Sequence, residues 1–114
     1  MMRIAPTLAL AATLLAPALA RAETWSAAPL VDKMCSAKVK ANPDAHPTSC
    51  LLQCAASGYG LLKPDGSWVP FDQAGNQKAL AALKATTRKD HVRVDVTGDL
   101  KGGVIAVQSL TISG

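Results

Sequence analysis

Hydrophobic and polar positions change their period several times along the chain. Ile4 to Leu15 is an apolar run of Ala, Leu, Ile and Thr broken only by Pro6, and no charge occurs between residues 4 and 20. Met1-Met2-Arg3 precedes it, and Pro17 and Ala20-Arg21-Ala22 follow. A short positive start, an apolar stretch and a small-x-small site together predict a secretory signal peptide over residues 1–22, cleaved after Ala22. A membrane span needs about 20 apolar residues, and this run is shorter and holds prolines. Residues 23–114 are then expected to form a single domain in the periplasm or outside the cell, with no membrane span after signal removal.

Beyond the leader the pattern predicts five strands and a central helix. Thr24 to Val31 reads as a first strand anchored by Trp25, with Pro29 marking an edge or bulge. Asp32 to Ala41 reads as a short helical turn, and Asn42-Pro43-Asp44 with His46-Pro47 as a loop. Thr48 to Ser57 suits a second short helix. Tyr59–Lys63 and Ser67–Phe71 suit two strands joined by the turn Pro64-Asp65-Gly66. Asn76 is placed to cap a helix over Gln77–Thr86, whose apolar face is Ala79, Leu80, Ala82 and Leu83. His91 to Thr97 alternates strictly, which puts Val92, Val94 and Val96 on a buried face. Gly98 to Gly103 reads as a turn, and Val104 to Ile112 as the last strand. Its alternation slips near Gln108-Ser109, the signature of a bulge. The order β-β-β-α-β-β is that of an OB-fold, a five-stranded Greek-key barrel. The expected fold is therefore mainly β (α+β by content): a small OB-like barrel with a cysteine-containing helical insertion after strand one.

Charge changes this picture little. The formal charge is +4, and loss of Arg3 and Arg21 with the leader lowers it by two. The remaining lysines are scattered, so strong nucleic-acid binding is not expected. Aromatic residues are Trp25, Tyr59, Trp68 and Phe71. Tyr59 and Trp68 are the candidates for a binding surface, although core and edge packing explains so few aromatics better. No carboxylate pair or phosphate loop is present, and no enzymatic activity is expected.

The chemistry concentrates in Cys35, Cys50 and Cys54. Exported cysteines are normally oxidised, and an odd number leaves one over. Cys50 and Cys54 stand four apart on a predicted helix with side chains poorly aimed at each other. A disulfide from Cys35 to either of them is the easier pairing. The alternative is a metal site for Zn or Cu built from Cys35, His46, Cys50 and Cys54, because thiolate and imidazole suit both ions. His46 shares the four-residue spacing of the two later cysteines, while Pro47 interrupts the helix on which it would lie. Thiol redox chemistry is a third reading, although C-x3-C is not the C-x-x-C of thioredoxin-like enzymes.

Several of these segments together resemble a family of short exported bacterial proteins. They are Leu30-Val31-Asp32-x-x-Cys35, Asn42-Pro43-Asp44 with His46, Cys50, Cys54, Ala56-Ser57-Gly58-Tyr59-Gly60, Phe71-Asp72, Gly75-Asn76 and Val96-Thr97-Gly98. The resemblance covers nearly all of the mature chain. It implies export and a small β-rich domain, and no particular activity. Trp25-Ser26-Ala27-Ala28-Pro29 departs from that pattern, which has a Gly-containing strand without Pro, so an irregular first strand is expected. The functional expectation is an exported, non-catalytic binding or interaction module with no cofactor. The alternative is a periplasmic metal-binding protein.

Overall fold

The computed structural model describes residues 22–114, so the expected leader lies outside the described residues but for Ala22. The strands are β1 (Glu23–Asp32), β2 (Tyr59–Leu62), β3 (Trp68–Pro70), β4 (Arg93–Lys101) and β5 (Val104–Ile112). The helices are α1 (Thr48–Gln53) and α2 (Gln73–Ala85), with single 3-10 turns at Pro43–Ala45 and Ala55–Ser57. The strands form one antiparallel sheet in the order β3-β2-β1-β4-β5. This is the expected small, mainly-β α+β fold. The sheet stays open and is not a closed barrel. Its two edges approach each other at a parallel bridge between Phe71 and Ile105, where the Asp72 N–H donates to the Ile105 carbonyl at 2.9 Å.

β1 serves two partners. Its first part pairs with β4, and Leu30–Asp32 pairs with β2. The irregularity expected of this strand falls between Trp25 and Ala28, with Ala27 at φ 48°. Side chains take up the freed backbone groups there: Ala27 N–H donates to Asp95 Oδ1 at 2.8 Å, and Arg93 donates to the Ala27 carbonyl at 2.9 Å. The bulge near Gln108 is also present. Thr97 faces Ser109 while Gly98 faces Val107, which leaves Gln108 as the extra residue.

Val92, Val94 and Val96 are buried as the alternation requires, and they share the core with Leu30, Leu51, Tyr59, Ala79, Leu83 and Ile105. Leu80 lies half-buried against it. Two element boundaries differ from expectation. α2 begins at Gln73, and its cap is Asp72, whose side chain accepts the Gly75 N–H at 2.9 Å; Asn76 lies inside the first turn. Gly75 hides this start in the sequence because glycine disfavours a helix interior. It is needed because a Cβ there would lie 2.5 Å from Val107 Cγ2. The Asn76 Oδ1 instead accepts the Tyr59 N–H at 2.8 Å and ties α2 to β2. Likewise β4 runs through Gly98 to Lys101, and only Gly102-Gly103 turns the chain. Gly98 sits within the strand because a Cβ there would meet the Ala106 carbonyl oxygen at 2.3 Å. The predicted helix over Thr48–Ser57 divides into α1 and the 3-10 turn at Ala55–Ser57.

Candidate metal centre

β1 ends in Leu30-Val31-Asp32, all three buried. The Asp32 carboxylate is fully shielded from solvent, a costly placement unless hydrogen bonds replace its water. Two of them do. Oδ2 accepts the Cys35 N–H at 2.9 Å, and Oδ1 lies 2.7 Å from His46 Nε2. The first bond closes an Asx-type turn across Asp32-Lys33-Met34-Cys35, the local habit of an aspartate at a strand end. It brings the Cys35 side chain back over the carboxylate.

His46 arrives from the other side of a loop. Residues 33–41 run as successive turns, followed by the 3-10 turn at Pro43–Ala45. Pro47 forces the residue before it toward extended backbone, and His46 has φ −73° and ψ 115°. His46 therefore stands ahead of α1, and its ring reaches back to Asp32 rather than lining a helix face with Cys50 and Cys54. The loop is fixed at both ends of this residue. Arg93 holds Asp44 in two contacts at 2.9 and 3.0 Å, and Thr48 Oγ1 donates to the Arg88 carbonyl at 2.8 Å. The Arg93 guanidinium also holds the Asp44 carboxyl below its ordinary pKa.

One donor atom from each of Asp32, Cys35 and His46 lies within 4.8 Å of the others. The expected set of Cys35, His46, Cys50 and Cys54 is thus corrected in two ways. Asp32 belongs to the cluster, and Cys50 is not among the converging donors. Cys54 stands beside it, as the C-cap of α1. Its carbonyl accepts the Ser57 hydroxyl proton at 2.8 Å, and Ser57 Oγ accepts the Met34 N–H at 3.3 Å. Lys33 N–H donates to the Gly58 carbonyl at 2.9 Å. These bonds press the turn carrying Cys35 against the end of α1. Burial, the Asp32 charge and then Cys54 raise the Cys35 pKa above its ordinary value. Cys35 is accordingly a neutral thiol near pH 7, a poor nucleophile. All three cysteines are free thiols, so the bridge expected from Cys35 is not formed in this structure.

Tyr59 and Trp68 do not make a stacking surface. Tyr59 is buried, and its hydroxyl donates to the Leu51 carbonyl at 2.7 Å. Burial, reinforced by Asp32 and Cys54, pushes its pKa up to about 12. Trp68 is half-buried and donates its indole N–H to the Val31 carbonyl at 3.0 Å. Its ring covers Gly60, where a Cβ would sit 2.7 Å from the indole. Asp32 escaped the sequence reading because an acid after an apolar run looks like the solvated end of a strand. The signal that marks it is the Asp-x-x-Cys spacing directly after Leu30-Val31, which predicts a carboxylate folded back over its own turn.

Three donor types on a fixed frame have a definite chemistry. Oxygen, nitrogen and sulfur ligands at about 2.0–2.3 Å from one ion describe zinc coordination. The carboxylate argues against a purely soft ion such as Cu(I). Comparison of the chain with protein-family models, with curated proteins and with solved structures finds no match.

Proposed function

We propose that the exported protein binds one Zn(II) ion through Asp32, Cys35 and His46, with the fourth position of the tetrahedron left to water or a ligand. The convergence of three donors distant in sequence, within 4.8 Å at the buried end of β1, carries this reading. A structural role for the same residues accounts for the Asp32–His46 hydrogen bond but leaves a thiol at the same point unexplained. Metal binding explains all three. It also gives the long loop from Lys33 to Pro47 an anchor at both ends, a common use of zinc in small domains. The ion displaces the thiol proton on binding, and the raised pKa of Cys35 makes that displacement pH-dependent.

Titration of the reduced, metal-free protein with Zn(II) against a chromophoric chelator tests the proposal. One ion per chain is expected, bound more tightly than about 1 μM, equivalent to roughly 8 kcal/mol. Cys35→Ser and His46→Ala are expected to abolish competition with the chelator, and Cys50→Ser to leave it intact. Absence of uptake by the folded wild-type protein would overturn the reading.

A non-catalytic binding module remains a second reading, supported by one feature. A groove of about 640 Å³ runs beside the irregular part of β1, between Trp25 to Pro29 and the β2–β3 hairpin at Leu62 to Pro64.

A further inference from the structure

We infer that Cys35 and Cys54 form a redox couple whose oxidation to a disulfide removes the zinc site. The inference rests on the zinc reading and adds its regulation. Cys35 is the sulfur donor of the Asp32–Cys35–His46 cluster. Cys54 is the C-cap of α1, held by its backbone: its N–H donates to the Cys50 carbonyl at 3.1 Å and its carbonyl accepts from the Ser57 hydroxyl at 2.8 Å. The Met34–Ser57–Cys54 relay and the Lys33–Gly58 bond hold the two segments together independently of any sulfur bond. Proximity of the segments that carry the two thiols is therefore built into the backbone. Cys50, one helical turn earlier, has no such tie to the Cys35 turn.

The chemistry closes without further components than a disulfide-bearing oxidant, such as oxidised glutathione. A thiolate formed at one of the pair attacks a sulfur of the oxidant, giving a mixed disulfide and releasing one small thiol. The second protein thiol then attacks the mixed disulfide, joins Cys35 Sγ to Cys54 Sγ and releases the second small thiol. Two protein thiols are oxidised by two electrons, and one oxidant disulfide is reduced to two thiols. The disulfide sulfur is no longer a thiolate donor, so Asp32 and His46 alone remain. Zinc bound first has the opposite effect, because it occupies the Cys35 sulfur and slows its oxidation.

The test uses the full mature chain. The protein is equilibrated with oxidised and reduced glutathione, the bridge is located by peptide mass mapping, and zinc uptake is measured for both redox forms. Expected are a Cys35–Cys54 bridge, one zinc per reduced chain, and a loss of affinity on oxidation of at least the roughly 100-fold that removal of even an outer partner can cost. Cys50→Ser is expected to change none of this, and Cys54→Ser to bind zinc when reduced but to form no intramolecular bridge, stopping at a mixed disulfide on Cys35 that mass mapping distinguishes. Zinc in the reduced form with a bridge to Cys50, or with no bridge, overturns the couple and leaves the zinc reading standing. A Cys35–Cys54 bridge with undiminished zinc uptake also overturns it. If neither form takes up zinc, the zinc reading fails and the regulation fails with it, while peptide mapping still reports whether the thiols pair.

Discussion

Asp32 shows how one side chain can hold a local structure together. Its carboxylate is the fully buried acid of the core and accepts from Cys35 N–H and from His46. Asp32→Ala leaves both partners without an acceptor in a buried place, at about 1–3 kcal/mol each. A loss of about 3 kcal/mol or more is expected in urea denaturation of the metal-free protein. Asp32→Asn keeps an oxygen for the Cys35 N–H and is expected to lose less. Equal stability of Asp32→Ala and the wild type would show that the two bonds contribute nothing. At this scale the sequence was half legible. It pointed to Cys35 and His46 by residue type, whereas Asp32 and the irrelevance of Cys50 depend on where Pro47 turns the chain. The resulting geometry is three-dimensional and has no period to read.

At the scale of elements, alternation predicted well and caps less well. β4 buries Val94 and Val96, and Val92 just ahead of it continues the alternation, because a period of two on a one-sided sheet allows no other register. Val94→Ala should therefore cost about 1–3 kcal/mol through lost burial and a residual cavity. From the sequence, Arg93→Ala is expected to cost much less than Val94→Ala, because Arg93 is a polar residue on the face opposite the buried valines. The structure gives it a larger role, since Arg93 bonds Asp44 twice and the Ala27 carbonyl once. Both partners lie on segments far away in sequence, which is why nothing local announced them. Arg93 is partly exposed, so solvent screens the pair. Its removal is expected to cost less than Val94→Ala but to raise hydrogen exchange at Ala27 and in the Asp44 loop. Asp72→Ala removes the α2 cap and an acceptor that Val107 N–H also approaches at 3.3 Å. A loss of about 1–2 kcal/mol is expected, against little change for Asn76→Asp, which keeps the oxygen facing Tyr59.

The whole molecule should respond to pH at both extremes, through different parts. Asp44 has its folded pKa lowered, chiefly by the Arg93 hydrogen bonds. Its contribution is present above the ordinary carboxylate pKa of about 4 and is lost as pH falls through the lower folded value. Tyr59 behaves in the opposite sense. Its folded pKa is raised to about 12, first by burial and then by Asp32 and Cys54. The folded state keeps the phenol proton longer than the unfolded chain, so stability is intact below the unfolded value of about 10 and declines as pH climbs toward 12. Tyr59 is the only tyrosine in the sequence, which makes the measurement unambiguous. Tyrosinate absorbance of the metal-free protein is expected to rise near pH 12 together with loss of near-ultraviolet circular dichroism. A rise near pH 10 with the dichroism unchanged would mean that the phenol is solvated, contrary to its bond with the Leu51 carbonyl. Tyr59→Phe sharpens the test. It leaves that buried carbonyl without its donor, at about 1–3 kcal/mol, while abolishing the titration. The variant should be less stable at neutral pH yet show a flatter decline between pH 10 and 12, a crossing of slopes that a general loss of packing cannot produce.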